Sequence, residues 1–177
     1  LRWNNPSTQI DGTPFNDFAA VLIYRDGLLL DSLPLRDKLI ISLAGISGLR
    51  PGEILALHWG DIQADGLHIR RGIYRNIIQS PKTHHSVRTA AISTSIKNDL
   101  DEWRNLARNT GTEDWVFPNE NNNRPLSHGN YWRRNIKTTL DKLKLTSVTF
   151  QALRRTAVTL MNANGADASI VAAQCGH

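Results

Sequence analysis

The sequence predicts an α+β domain that is mostly helical and contains a small three-stranded antiparallel sheet. Apolar residues recur at helical spacing on both sides of the chain's middle, whereas those between residues 66 and 92 alternate with a period of two. The chain has 177 residues, 40% hydrophobic and 21% charged, which suits one domain, or one large and one vestigial domain, with a hydrophobic core. No apolar run approaches the ~20 residues of a membrane-spanning helix, so we expect no membrane partner.

Helices are expected before the sheet. Residues 1–13 are polar and irregular, as in the remnant of a linker, and the chain starts without a methionine, so we expect a piece of a longer protein. An apolar stripe predicts a helix over Pro14–Leu30. Residues 33–47 predict a second helix, apolar enough to lie in the core and ended by Gly48. Pro51 then begins a short helix with one buried face.

The sheet and the elements after it follow from the change of period and from turn residues. Glycines and Ser80-Pro81 interrupt the alternating pattern of residues 66–92, which predicts about three short strands. After the sheet the sequence predicts, in order, a helix over 93–108, a buried extended segment over 115–118, a polar loop over 119–123, and helices over 127–143, 149–164 and from Asp167 toward Cys175.

Positive charge is unevenly distributed along the chain. Lys and Arg number 21 against 16 Asp and Glu, and residues 66–98 and 142–166 contain no acidic residue. Such blocks favour a polyanionic partner, although charge alone is more typical of a solvated basic face. The single cysteine, Cys175, cannot form an internal disulfide, so we expect a reducing, cytoplasmic location.

Arg50 lies between the helix that Gly48 ends and the helix that Pro51 begins. The start of a helix offers free backbone N–H groups and a partial positive charge, so an arginine there is well placed for a phosphate. From these residues alone, an arginine at a surface turn that pairs with Glu53 is the favoured interpretation.

Lys82 is expected at the tip of a basic hairpin, within the segment Ser80-Pro81-Lys82-Thr83. A mobile loop brings an ammonium group to a leaving oxygen and withdraws it, as a general acid requires. A solvated turn lysine is the alternative. His84 and His85 follow directly, but no cysteine or acidic residue lies nearby at the spacing of metal ligands, so no metal site is predicted.

The order of these segments resembles the catalytic domain of tyrosine site-specific recombinases, the phage integrase family. Residues 48–62 resemble the first arginine box of that family, in which a glutamate, here Glu53, braces the site. Residues 148–157 resemble the second box, whose usual form is His-x-x-Arg. The resemblance covers residues 14–177, which are expected to form the catalytic domain.

The resemblance assigns a role to each candidate residue. It implies that Arg50 and Arg154 hold the phosphodiester. It also implies that Lys82, on the hairpin, protonates the departing oxygen and that His177 completes the pocket. Gln151 stands where the family usually has His or Lys, and it is assigned to the pocket as a neutral hydrogen-bonding member. From their positive charge, and not from the resemblance, five further arginines are expected to contact DNA: Arg75, Arg88, Arg133, Arg134 and Arg155.

The family's reaction is site-specific DNA recombination or integration, in which DNA is cut and rejoined through a covalent phosphotyrosine without a metal or nucleotide cofactor. The implied partners are duplex DNA and other recombinase protomers. The three tyrosines Tyr24, Tyr74 and Tyr131 all precede the second box, whereas the family's nucleophile follows the Gly-His pair. The chain is therefore expected to end before the nucleophile and to be inactive alone.

Two alternatives belong to other functional classes. A DNA-binding relic of an integrase, which grips DNA without cutting it, is favoured by Gln151 and by the missing tyrosine. A helical protein-interaction domain with a basic face leaves the spacing of Arg50, Lys82, Arg154 and His177 unexplained.

Overall fold

The computed structural model describes residues 28–79, 87–119, 124–145 and 147–176. The expected linker over 1–13 and most of the expected helix over 14–30 lie outside these residues. The described helices are α1 (Leu28–Asp31), α2 (Leu35–Gly45), α3 (Pro51–Ile54), α4 (Thr94–Leu106), α5 (His128–Tyr131), α6 (Lys137–Lys142), α7 (Phe150–Ala163) and α8 (Ala168–Cys175). The strands are β1 (Ile62–Gln63), β2 (Gly66–Ile69), β3 (Gly72–Tyr74), β4 (Ile77–Gln79) and β5 (Arg88–Ala90). The predicted class, α+β and mostly helical, is confirmed.

Helix α2 is the central element of the core, as its apolar sequence predicts. Leu39, Ile40, Ile41 and Leu43 are fully buried, and the helix packs against both α4 and α7. The helix ends at Gly45, three residues before the predicted stop. Gly48 still turns the chain, because its φ of 70° is a left-handed conformation that suits glycine. This turn directs the chain toward Arg50.

The strands form two sheets instead of the single sheet that the sequence predicts. β1, β2 and β5 make a three-stranded antiparallel sheet, while β3 and β4 make a separate two-stranded hairpin. The hairpin turns at Arg75 and Asn76, whose φ angles of 51° and 64° fit a tight two-residue turn. Lys82, expected at the hairpin tip, follows β4 and lies outside the described residues.

The C-terminal helices begin and end close to their predicted positions. α5, a π-helical turn at Trp132–Ile136 and α6 follow one another without a break, as predicted for residues 127–143. The Thr149 hydroxyl accepts a hydrogen bond from the backbone N–H of Ala152 at the start of α7. The Asp167 carboxylate caps α8 in the same way, and Gly176 ends that helix with a φ of 68°.

Tyr131 packs inward. It is 3% exposed, and its hydroxyl donates a 3.0 Å hydrogen bond to the Asp37 carboxylate of α2. Burial, with the negative charge of Asp37 beside it, raises the pKa of Tyr131, so the phenol stays protonated. This hydrogen bond ties α5 to the central helix.

Tyr131→Phe is expected to lower the free energy of unfolding by about 1–2 kcal/mol, because the buried Asp37 carboxylate loses a hydrogen-bond donor. Urea denaturation at neutral pH measures this loss. Tyr74→Phe is the matched control, since Tyr74 is 59% exposed, and its stability should stay at the wild-type value. Equal stability of the two variants would contradict a stabilising role for the hydrogen bond.

Candidate functional site

Arg50 and Glu53 are linked at the start of α3. Arg50 has extended backbone angles immediately before the helix. The Glu53 carboxylate accepts the backbone N–H of Arg50 at 2.9 Å and its Nη1 at 3.0 Å. A carboxylate in the first turn satisfies N–H groups that the helix leaves without partners. The pairing with Glu53 that the sequence left open is therefore present, and it fixes the direction of the Arg50 side chain.

Arg88 reaches the same carboxylate from β5. Its Nη1 donates to Glu53 Oε1 at 3.0 Å and its Nη2 to Oε2 at 2.9 Å, a two-pronged ion pair. The side chains are 7% and 10% exposed, respectively. The sequence predicts a DNA contact for Arg88, and that role stays a prediction. Its buried pairing with Glu53 had no local sequence signal, because the partners lie 35 residues apart.

Arg154 enters the site from the first turns of α7. Its Nη1 donates to the carbonyl of Gly48, and its Nη2 donates to the carbonyl of Cys175 at 2.7 Å. Arg50 Nη2 donates to the next carbonyl along the chain, that of Gly176, at 2.8 Å. The two arginines that the sequence predicts to hold a phosphate therefore converge on adjacent residues.

The end of α8 is the meeting point of three arginines. The backbone carbonyls of residues 174, 175 and 176, here called the α8 carbonyls, accept from Arg88 Nε at 3.0 Å, from Arg154 and from Arg50 in turn. The last carbonyls of a helix have no partner within the helix and carry partial negative charge. We call Arg50, Arg88, Arg154 and Glu53 the arginine cluster.

Positive charge exceeds negative charge within the arginine cluster, which holds three guanidinium groups around one carboxylate. Burial opposes ionisation of Glu53 most strongly, but hydrogen bonds and charge from Arg88 and Arg50 outweigh it and lower its pKa. Burial and the neighbouring Arg50 charge lower the pKa of Arg154, although an arginine still remains a cation at neutral pH. A bound anion would relieve this excess charge.

Most of the chain matches a known protein family. The model of the phage integrase family matches residues 17–177. The chain belongs to the phage integrase family. It is 30% identical over 168 residues to a protein named tyrosine recombinase XerC-like from Caldanaerobacter subterraneus subsp. tengcongensis, covering 80% of this chain and 42% of that protein. It is 24% identical over 156 residues to the ICEBs1 integrase of Bacillus subtilis strain 168, covering 79% and 41%.

Solved structures of integrases and recombinases share the fold. An integrase of the Tn1549 transposon, in complex with a circular intermediate DNA, superimposes with a TM-score of 0.71 at 17% identity, covering 93% of this chain and 57% of that chain. The XerA recombinase gives a TM-score of 0.70 at 21% identity, covering 98% and 58%. At these identities the likeness shows the fold alone. The chain spans less than half the length of its curated relatives.

Of the other residues predicted from the sequence, Gln151 and four arginines lie within the described ranges. Gln151 is exposed on α7, one turn before Arg154, so the two side chains leave the helix on the same side. Lys82 and His177 lie outside the described residues. The remaining predicted DNA contacts are exposed: Arg75 at the hairpin turn, Arg133 and Arg134 in the π-helical turn, and Arg155 on α7.

Within the described ranges, no group of three or more His, Cys, Asp or Glu residues is arranged to hold a metal ion. Over the same ranges, none of the helices combines the length and apolar character needed to cross a bilayer.

Proposed function

We propose that this chain is the catalytic domain of a tyrosine recombinase that recombines or integrates DNA at specific sites. The observation that carries the proposal is the convergence of Arg50 and Arg154 on adjacent carbonyls at the end of α8. Guanidinium groups offer planar pairs of N–H donors that match phosphate oxygens. Two of them on one side of a phosphodiester would neutralise its non-bridging oxygens as negative charge develops during the reaction.

The proposed reaction needs a tyrosine whose hydroxyl loses its proton to solvent and whose oxygen bonds to phosphorus while the bond to the 5′ oxygen breaks. The covalent phosphotyrosine retains the energy of the phosphodiester for rejoining, so no nucleotide cofactor is required. Lys82 would donate a proton to the departing oxygen, and His177 with Gln151 would complete the phosphate pocket. Tyr131 is unsuited as the nucleophile because it is buried and its hydroxyl is bonded to Asp37. We place the nucleophile beyond residue 177.

Duplex DNA and further protomers are the proposed partners. The Tn1549 integrase was solved with DNA, and a lambda integrase was solved as a dimer bound to a core site. On this chain, the exposed arginines of the hairpin turn, the π-helical turn and α7 supply the positive charge that a DNA backbone requires: Arg75, Arg133, Arg134 and Arg155.

Residues 1–177 are expected to bind duplex DNA with strong salt dependence. If the chain contacts about five phosphates, log K should fall against log salt with a slope of about −4 to −5. Fluorescence anisotropy with a labelled duplex between low and high salt measures this slope. Arg50→Ala should weaken binding and reduce the slope by about one unit, whereas Arg108→Ala, an exposed arginine after α4, should change neither. Binding that does not respond to salt would contradict the proposal.

A DNA-binding relic is the second candidate, favoured by the neutral Gln151, which stands where the family usually has His or Lys. A duplex with a nick close to the cleavage site separates the two candidates, because cleavage there traps the covalent intermediate. A covalent adduct with a longer protein that continues to a tyrosine supports the recombinase. Binding by that protein without any adduct supports the relic.

A further inference from the structure

The side-chain amide of Gln174 forms hydrogen bonds with backbone groups of two other segments, through both its nitrogen and its oxygen. Its Nε2 donates to the carbonyl of Ser47 at 2.9 Å and to the carbonyl of Ala91 at 3.0 Å. Its Oε1 accepts the backbone N–H of Ala91 at 2.8 Å. A glutamine amide has two N–H donors and one carbonyl oxygen, so both donors and the oxygen are engaged here.

These three hydrogen bonds join the parts of the chain that supply the arginine cluster. Ser47 lies in the loop between α2 and Arg50, and Ala91 follows β5, the strand that carries Arg88. Gln174 itself lies in the last turn of α8, beside the α8 carbonyls. The amide therefore fixes the end of α8 relative to the two segments from which Arg50 and Arg88 extend.

We propose that Gln174 is a positioning residue of the arginine cluster: its amide sets the place of the α8 carbonyls, and these carbonyls set the direction of Arg50, Arg88 and Arg154. The inference rests on the proposed function, because the purpose assigned to this geometry is the binding of a DNA phosphate. Gln174 is neutral and directs its amide to the backbone, so it acts through the arginines and not on the phosphate.

The directions of the three arginine side chains depend on the position of the α8 carbonyls. Arg154 and Arg50 each donate to one of the α8 carbonyls, and Arg88 donates to a third. A shift of the helix end by about 1 Å is large enough to take these hydrogen bonds out of their normal 2.7–3.2 Å range. The guanidinium groups would then follow the carbonyls or lose them, and either change moves them away from a shared phosphate.

Gln174→Met tests this inference, because methionine keeps the length of the side chain, removes all three hydrogen bonds and changes no charge. We expect duplex DNA affinity to fall about tenfold. The salt slope should also fall by about one unit, as it does in Arg50→Ala, because a phosphate contact is lost although every charge remains. The double variant that combines Gln174→Met with Arg50→Ala should have nearly the same DNA affinity as Arg50→Ala alone, since both changes remove the same contact.

Ile170→Ala is the matched control, because Ile170 lies on α8 and is 62% exposed. Its affinity and slope should equal those of the wild type. All binding is measured below each variant's melting temperature, with the folded fraction checked by circular dichroism. If Gln174→Met does not fold, Gln174→Asn takes its place, because its shorter stem cannot span Ser47 and Ala91.

Different results would contradict the positioning role of Gln174 and the proposed function. A folded Gln174 variant with wild-type affinity and slope would overturn the positioning role and leave the proposed function intact. If the wild-type chain itself showed no salt-dependent DNA binding, both the proposed function and this inference would be wrong. A purely stabilising role for Gln174 predicts a lower melting temperature with an unchanged slope, and that result also overturns the inference.

Discussion

Replacing Glu53 with glutamine is expected to lower the free energy of unfolding by about 3 kcal/mol at neutral pH. Glu53 and Arg88 form a two-pronged ion pair in which the side chains are only 10% and 7% exposed. Glutamine has nearly the same shape, but its amide offers one oxygen instead of two and carries no charge. The variant therefore leaves the Arg88 cation buried without its counter-charge, which costs much more than the loss of a surface ion pair.

The same pair predicts how stability depends on pH. The pKa of Glu53 is lower in the folded chain than its ordinary value of 4.5. Its contribution to stability is therefore present above the ordinary value, and it is lost as the pH falls through the folded value. Wild-type stability should decline in that acidic range, and Glu53→Gln should lack this part of the decline.

Urea denaturation at pH 7 and at successively lower pH values measures both effects. Glu102→Gln is the matched control, because it makes the same chemical change at an exposed position on α4. Its stability should stay within about 0.5 kcal/mol of the wild type. A Glu53→Gln variant as stable as this control would show that the ion pair contributes nothing to the fold.

The helices could be predicted from the sequence because their signals are local. The apolar stripe of α2 and the caps at Thr149 and Asp167 act within one or two turns of the chain. The end of α2 lies two residues before the predicted bound at residue 47, because tertiary packing decides where the last turn stops. The convergence of Arg50 and Arg154 was expected from the resemblance of residues 48–62 and 148–157 to the two family boxes, and no local signal predicts it.

The division into two sheets could not be predicted, because strand pairing depends on distant residues. The alternating pattern of residues 66–92 does not reveal that β2 pairs with β1 and β5 while β3 pairs only with β4 among the described strands. The turn at Arg75 and Asn76 was missed because it contains no glycine. Asparagine tolerates a positive φ, and that was the available signal.

The connections that assemble the site were also beyond sequence reasoning. Arg88 was assigned to DNA from its charge, and its ion pair with Glu53 depends on the packing of β5 beside α3. Gln174 lies in an apolar stretch that predicts only a short helix. Its role depends on carbonyls 127 and 83 residues away in the chain. Backbone carbonyls carry no sequence signal at all.

Gly176→Ala is expected to abolish most of the DNA affinity of the chain, by well over tenfold. Gly176 has a φ of 68°, and a methyl group there would lie 2.7 Å from Arg88 Nη1, 2.8 Å from Arg88 Cζ and 3.2 Å from Arg50 Nη1. Guanidinium groups that are already held by Glu53 and by the α8 carbonyls cannot move away without breaking those hydrogen bonds. The substitution therefore disturbs two members of the arginine cluster at once.

Gly165→Ala isolates the steric part of this effect. Gly165 also has a left-handed φ, of 78°, but a methyl group there would meet nothing within 4 Å. Both variants should lose about 1 kcal/mol of stability from backbone strain, and Gly176→Ala should lose more because of the clash. Anisotropy titrations should show wild-type DNA affinity for Gly165→Ala and a much lower affinity for Gly176→Ala. If Gly176→Ala bound DNA as well as Gly165→Ala, the arginine cluster would not be the phosphate site, since displacing two of its guanidinium groups would have left the interaction intact.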